Sequence, residues 1–220
     1  MNTKVMEIKD IGTLTHIYLD STPEVVNAMV LERNGRTYDL VSLLPKGWQI
    51  NEVGSYGAHP YTNKVKLGRE IGIDHLISSL HEIGHAPDYA SLMAQGIDVG
   101  EINAKVLNIQ SWINLRPDDI IGYLKLEYTA WEFALAFIRR LSLGQETLAH
   151  AYKLIIDYLQ TNINGMFNPV YSAFSGRVFP SPIENVERNT GMPQEEQKQK
   201  ILQMHMEFLE RNSLLLSHFS

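Results

Sequence analysis

Residues 73–87 read Ile-Asp-His-Leu-Ile-Ser-Ser-Leu-His-Glu-Ile-Gly-His-Ala-Pro, and the spacing of their apolar residues predicts an α-helix. Apolar side chains recur at positions 73, 76, 77, 80 and 83. Steps of three and four residues indicate a single stripe along an α-helix, not the alternation of a strand. Pro87 predicts that this helix ends soon afterwards, because proline disfavours the α conformation in the residue before it.

Within this helix, residues 81–85 form the pattern His-Glu-x-x-His. A spacing of four places His81 and His85 on one face about one turn apart, so that both imidazoles can reach one ion. Neutral imidazole is a good ligand for Zn²⁺. Glu82 is rotated by about 100° from His81, so it points beside the ion and can take a proton from a water held there. The alternative is a chance pattern on an amphipathic helix, and the helical context favours the metal site.

A third metal ligand must come from elsewhere, and the chain contains no cysteine. A predicted helix over 117–142 offers Glu127 and Glu132. Glu127 shares its face mainly with apolar residues, where a carboxylate is costly to bury unless it is paired or bound to a metal. Glu132 lies about 140° away, on a face typical of solvated charges. Glu127 is the preferred ligand. Two alternatives stay open: a buried Glu127 bonded to a tyrosine or the backbone, and Glu132 as the true ligand.

These two elements resemble the ImmA/IrrE-like metallopeptidase family, a gluzincin group with two histidines and one glutamate on zinc. The resemblance covers residues 64–140, and its second element is Glu-x-x-Ala-x-x-Phe-Ala, formed by Glu127, Ala130, Phe133 and Ala134. It implies a zincin-like metallopeptidase domain with zinc as its cofactor and a protein or peptide as its substrate. It also implies specific roles: zinc ligands His81, His85 and Glu127, and general base Glu82.

The expected activity is hydrolysis of peptide bonds, in which Glu82 accepts a proton from the attacking water and delivers it to the leaving amine. The alternative is a non-catalytic zincin fold that serves as a binding or regulatory module. The presence of Glu82 argues against it, because an inactive scaffold needs no base. The sequence does not select the donor that would stabilise the oxyanion from the candidates Tyr56, His59, Tyr61, Tyr123, Tyr128, His150, Tyr152 and Arg177.

Composition narrows the class of protein. The chain has 220 residues, of which 44% are hydrophobic, which is enough for one domain with a substantial core. The formal net charge of −6 gives no basic surface for nucleic acid or anionic membrane. No apolar run approaches the roughly 20 residues that span a bilayer. The N-terminal residues lack the apolar core of a secretory signal, so a cytoplasmic location is expected.

The order of elements predicts an α+β fold, with a small N-terminal β-sheet followed by a mainly helical body. A strand is predicted at 14–19 and a hairpin at 27–44, with Asn34-Gly35 forming a type I′ turn. Residues 45–62 are rich in glycine and proline and are predicted as loop. A strand at 64–67 is expected at the sheet edge, where an extended substrate would pair with it antiparallel.

The later part of the chain is predicted to be helical at 100–113, 117–142 and 145–161, and irregular at 163–196. A final helix is expected over 193–216, packed on the core through the face that carries Leu202, Met206 and Leu209. The expected organisation is a metallopeptidase domain over 1–165, with its β-rich part at 1–67 and its motif helix and helical body at 68–165. Residues 166–220 are expected to pack on the same domain.

Overall fold

The computed structural model describes residues 2–19, 22–70, 72–172 and 177–213. Within these ranges the strands are β1 Asn2–Ile8, β2 Gly12–Leu19, β3 Thr22–Arg33, β4 Arg36–Asp39, β5 Gln49–Glu52, β6 Gly57–His59, β7 Lys64–Leu67, β8 Val170–Ser172 and β9 Arg177–Phe179. The α-helices are α1 Ile73–Ala94, α2 Val99–Leu107, α3 Pro117–Arg140, α4 Gln145–Phe167, α5 Pro182–Thr190 and α6 Gln194–Ser213. Three short 3-10 helices cover Val41–Leu43, Pro60–Thr62 and Ile109–Asn114.

The predicted α+β class is confirmed, with an N-terminal mixed β-sheet followed by a helical body. The strands run in the order β1-β2-β3-β5-β7-β6, and β4 pairs with β3 outside this path. β5 and β7 are parallel, whereas the other neighbours are antiparallel. The β3–β4 hairpin is also confirmed. Asn34 and Gly35 have φ values of 50° and 72°, the positive values that a type I′ turn requires.

The chain divides into two compact units, Met1–Gly100 with Thr129–Ile155, and Glu101–Tyr128 with Ile156–Ser220. In the first unit, side chains that face one another across neighbouring strands form apolar rows. Val26, Ile50 and Val65 make one such row, and each is at most 2% exposed. Helix α1 packs against β7 and β6, and its apolar stripe is buried. The sheet and the motif helix therefore share one hydrophobic core.

Among its described residues, the regular structure of the second unit is helical apart from the β8–β9 pair. In it, α5 packs against the 3-10 helix at Ile109–Asn114 and against α6. The Asn189 side chain donates hydrogen bonds of 3.1 Å to the carbonyls of both Trp112 and Leu115. Ser181 caps α5 in a reciprocal arrangement with Glu184, which satisfies backbone donors at the first turn.

The predicted end of the motif helix at Pro87 is wrong. α1 continues to Ala94 with Pro87 inside it. Proline removes one backbone hydrogen bond from a helix interior, but burial can outweigh that loss. Ala86 and Tyr89, on either side of Pro87, are 0% and 3% exposed, so packing carries the helix through the proline.

The prediction that the strand at 64–67 lies at the sheet edge is also wrong. β7 pairs with β5 on one side and with β6 on the other. The strand itself is confirmed, but β5 and β6 both fall in the stretch 45–62 that was predicted as loop. β6 has only three residues, Gly57–His59, and no apolar alternation, so its pairing with β7 leaves no local signal.

Helices at 100–113, 117–142 and 145–161 are confirmed in outline, although a 3-10 helix replaces the end of the first and α4 extends to Phe167. The irregular prediction for 163–196 is wrong, since β8, β9 and α5 lie there. The final helix is confirmed up to Ser213, and the remainder of its predicted range lies outside the described residues.

The face predicted to pack in this final helix is wrong. Leu202 and Met206 are 44% and 58% exposed, whereas the buried side of α6 carries Ile201, His205 and Phe208. Both sides contain apolar residues. The buried side meets Tyr128 of α3, which is hydrogen-bonded to His205 and packs against Phe208. No helix in the described ranges is long and apolar enough to cross a membrane.

Candidate metal centre

The two motif histidines lie side by side on α1. His81 is 6% exposed and His85 is 3% exposed, and their Nε2 atoms are 3.1 Å apart. Two imidazoles bound to one tetrahedral zinc, at Zn–N distances of about 2.0–2.1 Å, would have nitrogens roughly 3.3 Å apart. The same nitrogen of each ring is therefore presented at a separation that suits shared coordination of one ion.

Aromatic side chains fix the orientation of both histidine rings. Trp131, on α3, stacks on His81 with ring centroids 3.9 Å apart and an interplanar angle of 25°. Tyr89, one turn after His85 on α1, lies with its ring centroid 4.9 Å from that of His85. Both aromatic residues are buried, at 2% and 3% exposure. They restrict ring rotation and keep water from that side of the imidazoles.

Gly84 explains why α3 can approach the motif helix so closely. A Cβ atom at this position would lie 2.9 Å from the carbonyl oxygen of Ala130 and 3.0 Å from the Cβ of Phe133. Separations this short require a neighbour to move, and one of the neighbours is backbone. The glycine within the His-Glu-x-x-His pattern is thus needed for the packing of the two helices.

Glu127 lies on the same continuous helix as Ala130 and Trp131. One ligand atom from each of His81, His85 and Glu127 falls within 4.8 Å of the others, and no other group of three His, Cys, Asp or Glu residues in the described ranges meets this condition. Glu127 is partly buried, and Asn162 of α4 donates a hydrogen bond of 3.3 Å to its Oε2. This amide holds the carboxylate in one orientation.

The two glutamates left to be placed differ in position. Glu132, the alternative ligand on α3, is not part of the three-residue group. Glu82, the candidate base, follows His81 directly and is half-buried. The structure therefore brings together the three residues preferred from the sequence as ligands, with Glu82 next to them in the chain.

This donor set fits a zinc ion of the catalytic type. Two imidazole nitrogens and one carboxylate oxygen are ligands that Zn²⁺ accepts, and three protein ligands leave a fourth tetrahedral position open. The convergence of the two Nε2 atoms beside a carboxylate is the observation that supports this fit. A chain without cysteine offers no thiolate alternative.

The structure places most candidates for the oxyanion donor in other contacts. Tyr56 is hydrogen-bonded to His75, Tyr61 donates to Asp98, and Tyr128 is hydrogen-bonded to His205. His150 lies 3.3 Å from Asp74, and His59 is exposed. Tyr123 is buried and Tyr152 is half-buried. The side chain of Arg177 lies outside the described residues. None of these contacts identifies an oxyanion donor.

A second buried histidine pair lies in the first unit. The ring centroids of His16, on β2, and His75, on α1, are 5.6 Å apart, and both side chains are 0% exposed. His16 Nδ1 donates to Glu52 Oε2 at 3.0 Å, and Glu52 also accepts hydrogen bonds from Lys4, at 2.7 Å, and from Tyr18. His75 Nδ1 shares a hydrogen bond of 2.8 Å with Tyr56.

The pKa values of Glu52 and His75 are both lowered, which favours the charged form of Glu52 and disfavours the charged form of His75. Burial disfavours the Glu52 carboxylate, but hydrogen bonds from Lys4, Tyr18 and His16 together outweigh it and lower its pKa to about 2. Burial, followed by repulsion from His16 and Lys4, lowers the pKa of His75 to about 4. At neutral pH the cluster therefore holds an ionised glutamate beside a neutral His75.

Two residues that contact the candidate metal ligands were not predicted from the sequence. Tyr89 continues the four-residue spacing of His81 and His85, but the predicted end of the helix near Pro87 placed Tyr89 outside it. Asn162 lies one residue beyond the predicted end of its helix at 161, so its position opposite Glu127 could not be inferred. The stacking of Trp131 on His81 depends on the three-dimensional crossing of α1 and α3, which a single sequence does not give.

Comparison of the chain with protein-family models, with curated proteins and with solved structures finds no match.

Proposed function

We propose that this protein is a zinc-dependent metallopeptidase in which His81, His85 and Glu127 hold the ion and Glu82 is the general base. The observation that supports this most strongly is the convergence of one ligand atom from each of these three residues, within 4.8 Å, on helices α1 and α3. A zincin-like fold and the resemblance to ImmA/IrrE-like enzymes belong to the same proposal.

When bound, a zinc ion supplies Lewis-acid polarisation and lowers the pKa of a coordinated water to about 7. The protein's own contribution is to hold that ion through two neutral imidazoles and one carboxylate, and to leave one position open. The stacked ring of Trp131 and the neighbouring ring of Tyr89 keep the imidazoles in place. Asn162 orients the Glu127 carboxylate.

Glu82 has the proton-transfer role in this proposal. Its place beside His81 on the helix directs it to the flank of the ligand face, where it accepts a proton from the attacking water. It then delivers that proton to the amine that leaves. A carboxylate suits both steps because it can accept a proton when ionised and donate one when protonated.

An extended peptide substrate that adds to the sheet near α1 would pair with β6. Among the described strands β6 is the outermost on this side, since β7 is paired on both sides. β-strand addition uses the backbone groups of an edge strand, which is a recurring way to bind peptides in extended form. This moves the proposed substrate contact from residues 64–67 to Gly57–His59.

The test of the proposed activity is Glu82→Gln, compared with the wild type and with Glu132→Gln at equal zinc content. Glutamine fills the same space but cannot accept the proton, so we expect Glu82→Gln to keep zinc and lose hydrolysis of a panel of unfolded proteins. Glu132 is half-buried on α3 and lies outside the ligand group, so the Glu132→Gln variant should cleave like the wild type.

Turnover in Glu82→Gln at the wild-type rate would remove Glu82 from the mechanism. Zinc-loaded wild type that cleaves none of the panel would instead favour the alternative, a non-catalytic binding or regulatory module. The zinc content of each preparation separates these outcomes from loss of the metal.

A further inference from the structure

Three arginine side chains surround a recess in the first unit that contains none of the residues of the proposed metal centre. The recess has a volume of about 240 Å³ and lies where the tip of the β3–β4 hairpin meets the last turn of α3. Arg33 and Arg36 come from the hairpin, and Arg140 is the final residue of the helix. The recess thus combines positive charge from two elements far apart in the sequence.

Arg33 is held in place by backbone oxygens. Its Nε donates to the carbonyl of Leu141 at 2.6 Å, and Nη2 donates to that of Ser142 at 3.1 Å. Its Nη1 donates to the carbonyls of Asp10 and Ile11, both at 2.6 Å. These acceptors are all uncharged peptide groups. They fix the guanidinium and cap the end of α3, and none of them is a carboxylate.

Arg36 and Arg140 line the same recess as Arg33, so three positive charges lie near one another. Arg36 is the direct cross-strand partner of Arg33, an arrangement that is destabilising for two residues of the same charge. Arg36 and Arg140 are both exposed. None of the three arginines forms an ion pair with a carboxylate within the described part of the chain. The recess therefore concentrates three positive charges in a protein whose formal net charge is −6.

Neighbouring groups make the recess rigid and polar. The Tyr38 hydroxyl donates to the carbonyl of Arg140 at 3.5 Å, and its ring packs edge-on against Phe137, with centroids 5.7 Å apart. The hairpin is thereby attached to the last residue of α3 through Tyr38 and to the two residues that follow α3 through Arg33. A site whose walls are fixed loses little freedom when it binds a ligand.

We propose that this recess binds the phosphate or diphosphate group of a small molecule. Guanidinium groups bind phosphate oxygens in a bidentate manner, and Arg36 and Arg140 are free to turn toward such a group while Arg33 stays fixed. A volume of about 240 Å³ lies below the range of about 300–1,000 Å³ typical of drug-sized ligands, so the charged group fills the recess. The negative net charge of the chain opposes a long polyanion such as a nucleic acid.

Calorimetric titration of the full chain at low ionic strength tests this site, with inorganic phosphate, inorganic pyrophosphate and a nucleoside diphosphate as separate ligands. We expect saturable binding of pyrophosphate or of the nucleoside diphosphate. Arg36→Gln and Arg140→Gln should each weaken this binding by about tenfold, because each removes a charge-assisted contact. Arg188→Gln, which removes an exposed arginine from α5, is the matched control and should bind like the wild type.

The ligands distinguish the source of the phosphate group. Stronger binding of the nucleoside diphosphate than of pyrophosphate places the group on a larger molecule, and equal binding identifies the free anion as sufficient. The proposal is overturned if the wild type binds none of the three ligands. It is also overturned if the double variant, which carries Arg36→Gln and Arg140→Gln together, binds them as well as the wild type. Binding that survives in this double variant but is lost in His81→Ala belongs to the metal centre and also overturns it.

Discussion

Two pairs of buried histidines have different surroundings, one lying wholly on α1 and the other formed by α1 and β2. His81 and His85 present their Nε2 atoms to each other at 3.1 Å with Glu127 close by. His16 and His75 lie 5.6 Å apart by ring centroid, and the Nδ1 of each is held by a side chain, Glu52 for His16 and Tyr56 for His75. Both pairs are buried, so burial does not distinguish the proposed ligands. The convergence of ligand atoms with a carboxylate does, and within the described residues it occurs only at His81, His85 and Glu127.

The largest expected difference between the two pairs is in zinc affinity after the same substitution is made at one histidine of each pair. We expect His81→Gln to weaken zinc binding by about a hundredfold or more, because one of three protein ligands is lost. His75→Gln removes an equally buried histidine from the same helix and should leave zinc affinity unchanged. Competition with a zinc chelator measures both affinities, and equal losses in the two variants would show that the pairs do not differ as described.

Acid should act on the second pair through His75, which we test in protein freed of zinc. The pKa of His75 is about 4 in the folded chain, below its ordinary value of 6.5. Its neutral form therefore stabilises the fold fully above pH 6.5, and this contribution is lost as pH falls from 6.5 toward 4. A shift of this size corresponds to about 3 kcal/mol of unfolding free energy.

Denaturant unfolding of wild type and His75→Gln across this pH range measures the effect. The variant should show a flatter dependence of its unfolding free energy on pH between 6.5 and 4. Glu52 acts in a lower window. Its pKa of about 2, against an ordinary value of 4.5, gives stability that is present above pH 4.5 and lost as pH falls toward 2. Identical pH profiles of the two proteins above pH 4.5 would contradict the assignment to His75.

A smaller effect is expected from the helix crossing that supports only the first pair. Gly84→Ala places a methyl group 2.9 Å from the Ala130 carbonyl, so α1 and α3 must separate. Overpacking of this kind costs about 1–3 kcal/mol, and we expect the unfolding free energy and the zinc affinity to fall together. Gly165→Ala is the control, because a Cβ atom at that helical glycine has nothing within 4 Å. A Gly84→Ala protein as stable as the control would show that the crossing tolerates the methyl group.

The sequence predicted which candidate ligands the structure brings together, because the signals for these residues are local. His81, Glu82 and His85 follow from a four-residue spacing on one helix, and Glu127 follows from the phase of another. Tyr89 was missed because a local rule about Pro87 was outweighed by the burial of Ala86 and Tyr89. The candidate ligands could therefore be proposed without knowing how the helices cross, whereas the residues that contact them could not.

Contacts between distant segments explain the remaining errors in predicting the fold from the sequence. The place of β7 in the sheet depends on β6, a three-residue strand with no pattern of its own. The covered face of α6 depends on packing against Tyr128 of α3, since Ile201 and Leu202 are similar residues with opposite exposure. The arginine recess also could not be predicted from local sequence, because Arg33 and Arg140 meet only when the hairpin and the end of α3 come together.

The most direct test of the metal centre is the zinc content of three purified proteins, measured by elemental analysis: the wild type, Glu127→Ala and Glu132→Ala. Both substitutions remove a glutamate from α3, five positions apart. We predict about one zinc per chain in the wild type and in Glu132→Ala, and a large loss in Glu127→Ala. Full zinc in Glu127→Ala together with loss in Glu132→Ala, or no zinc in the wild type, would contradict the assignment of His81, His85 and Glu127 as the ligands.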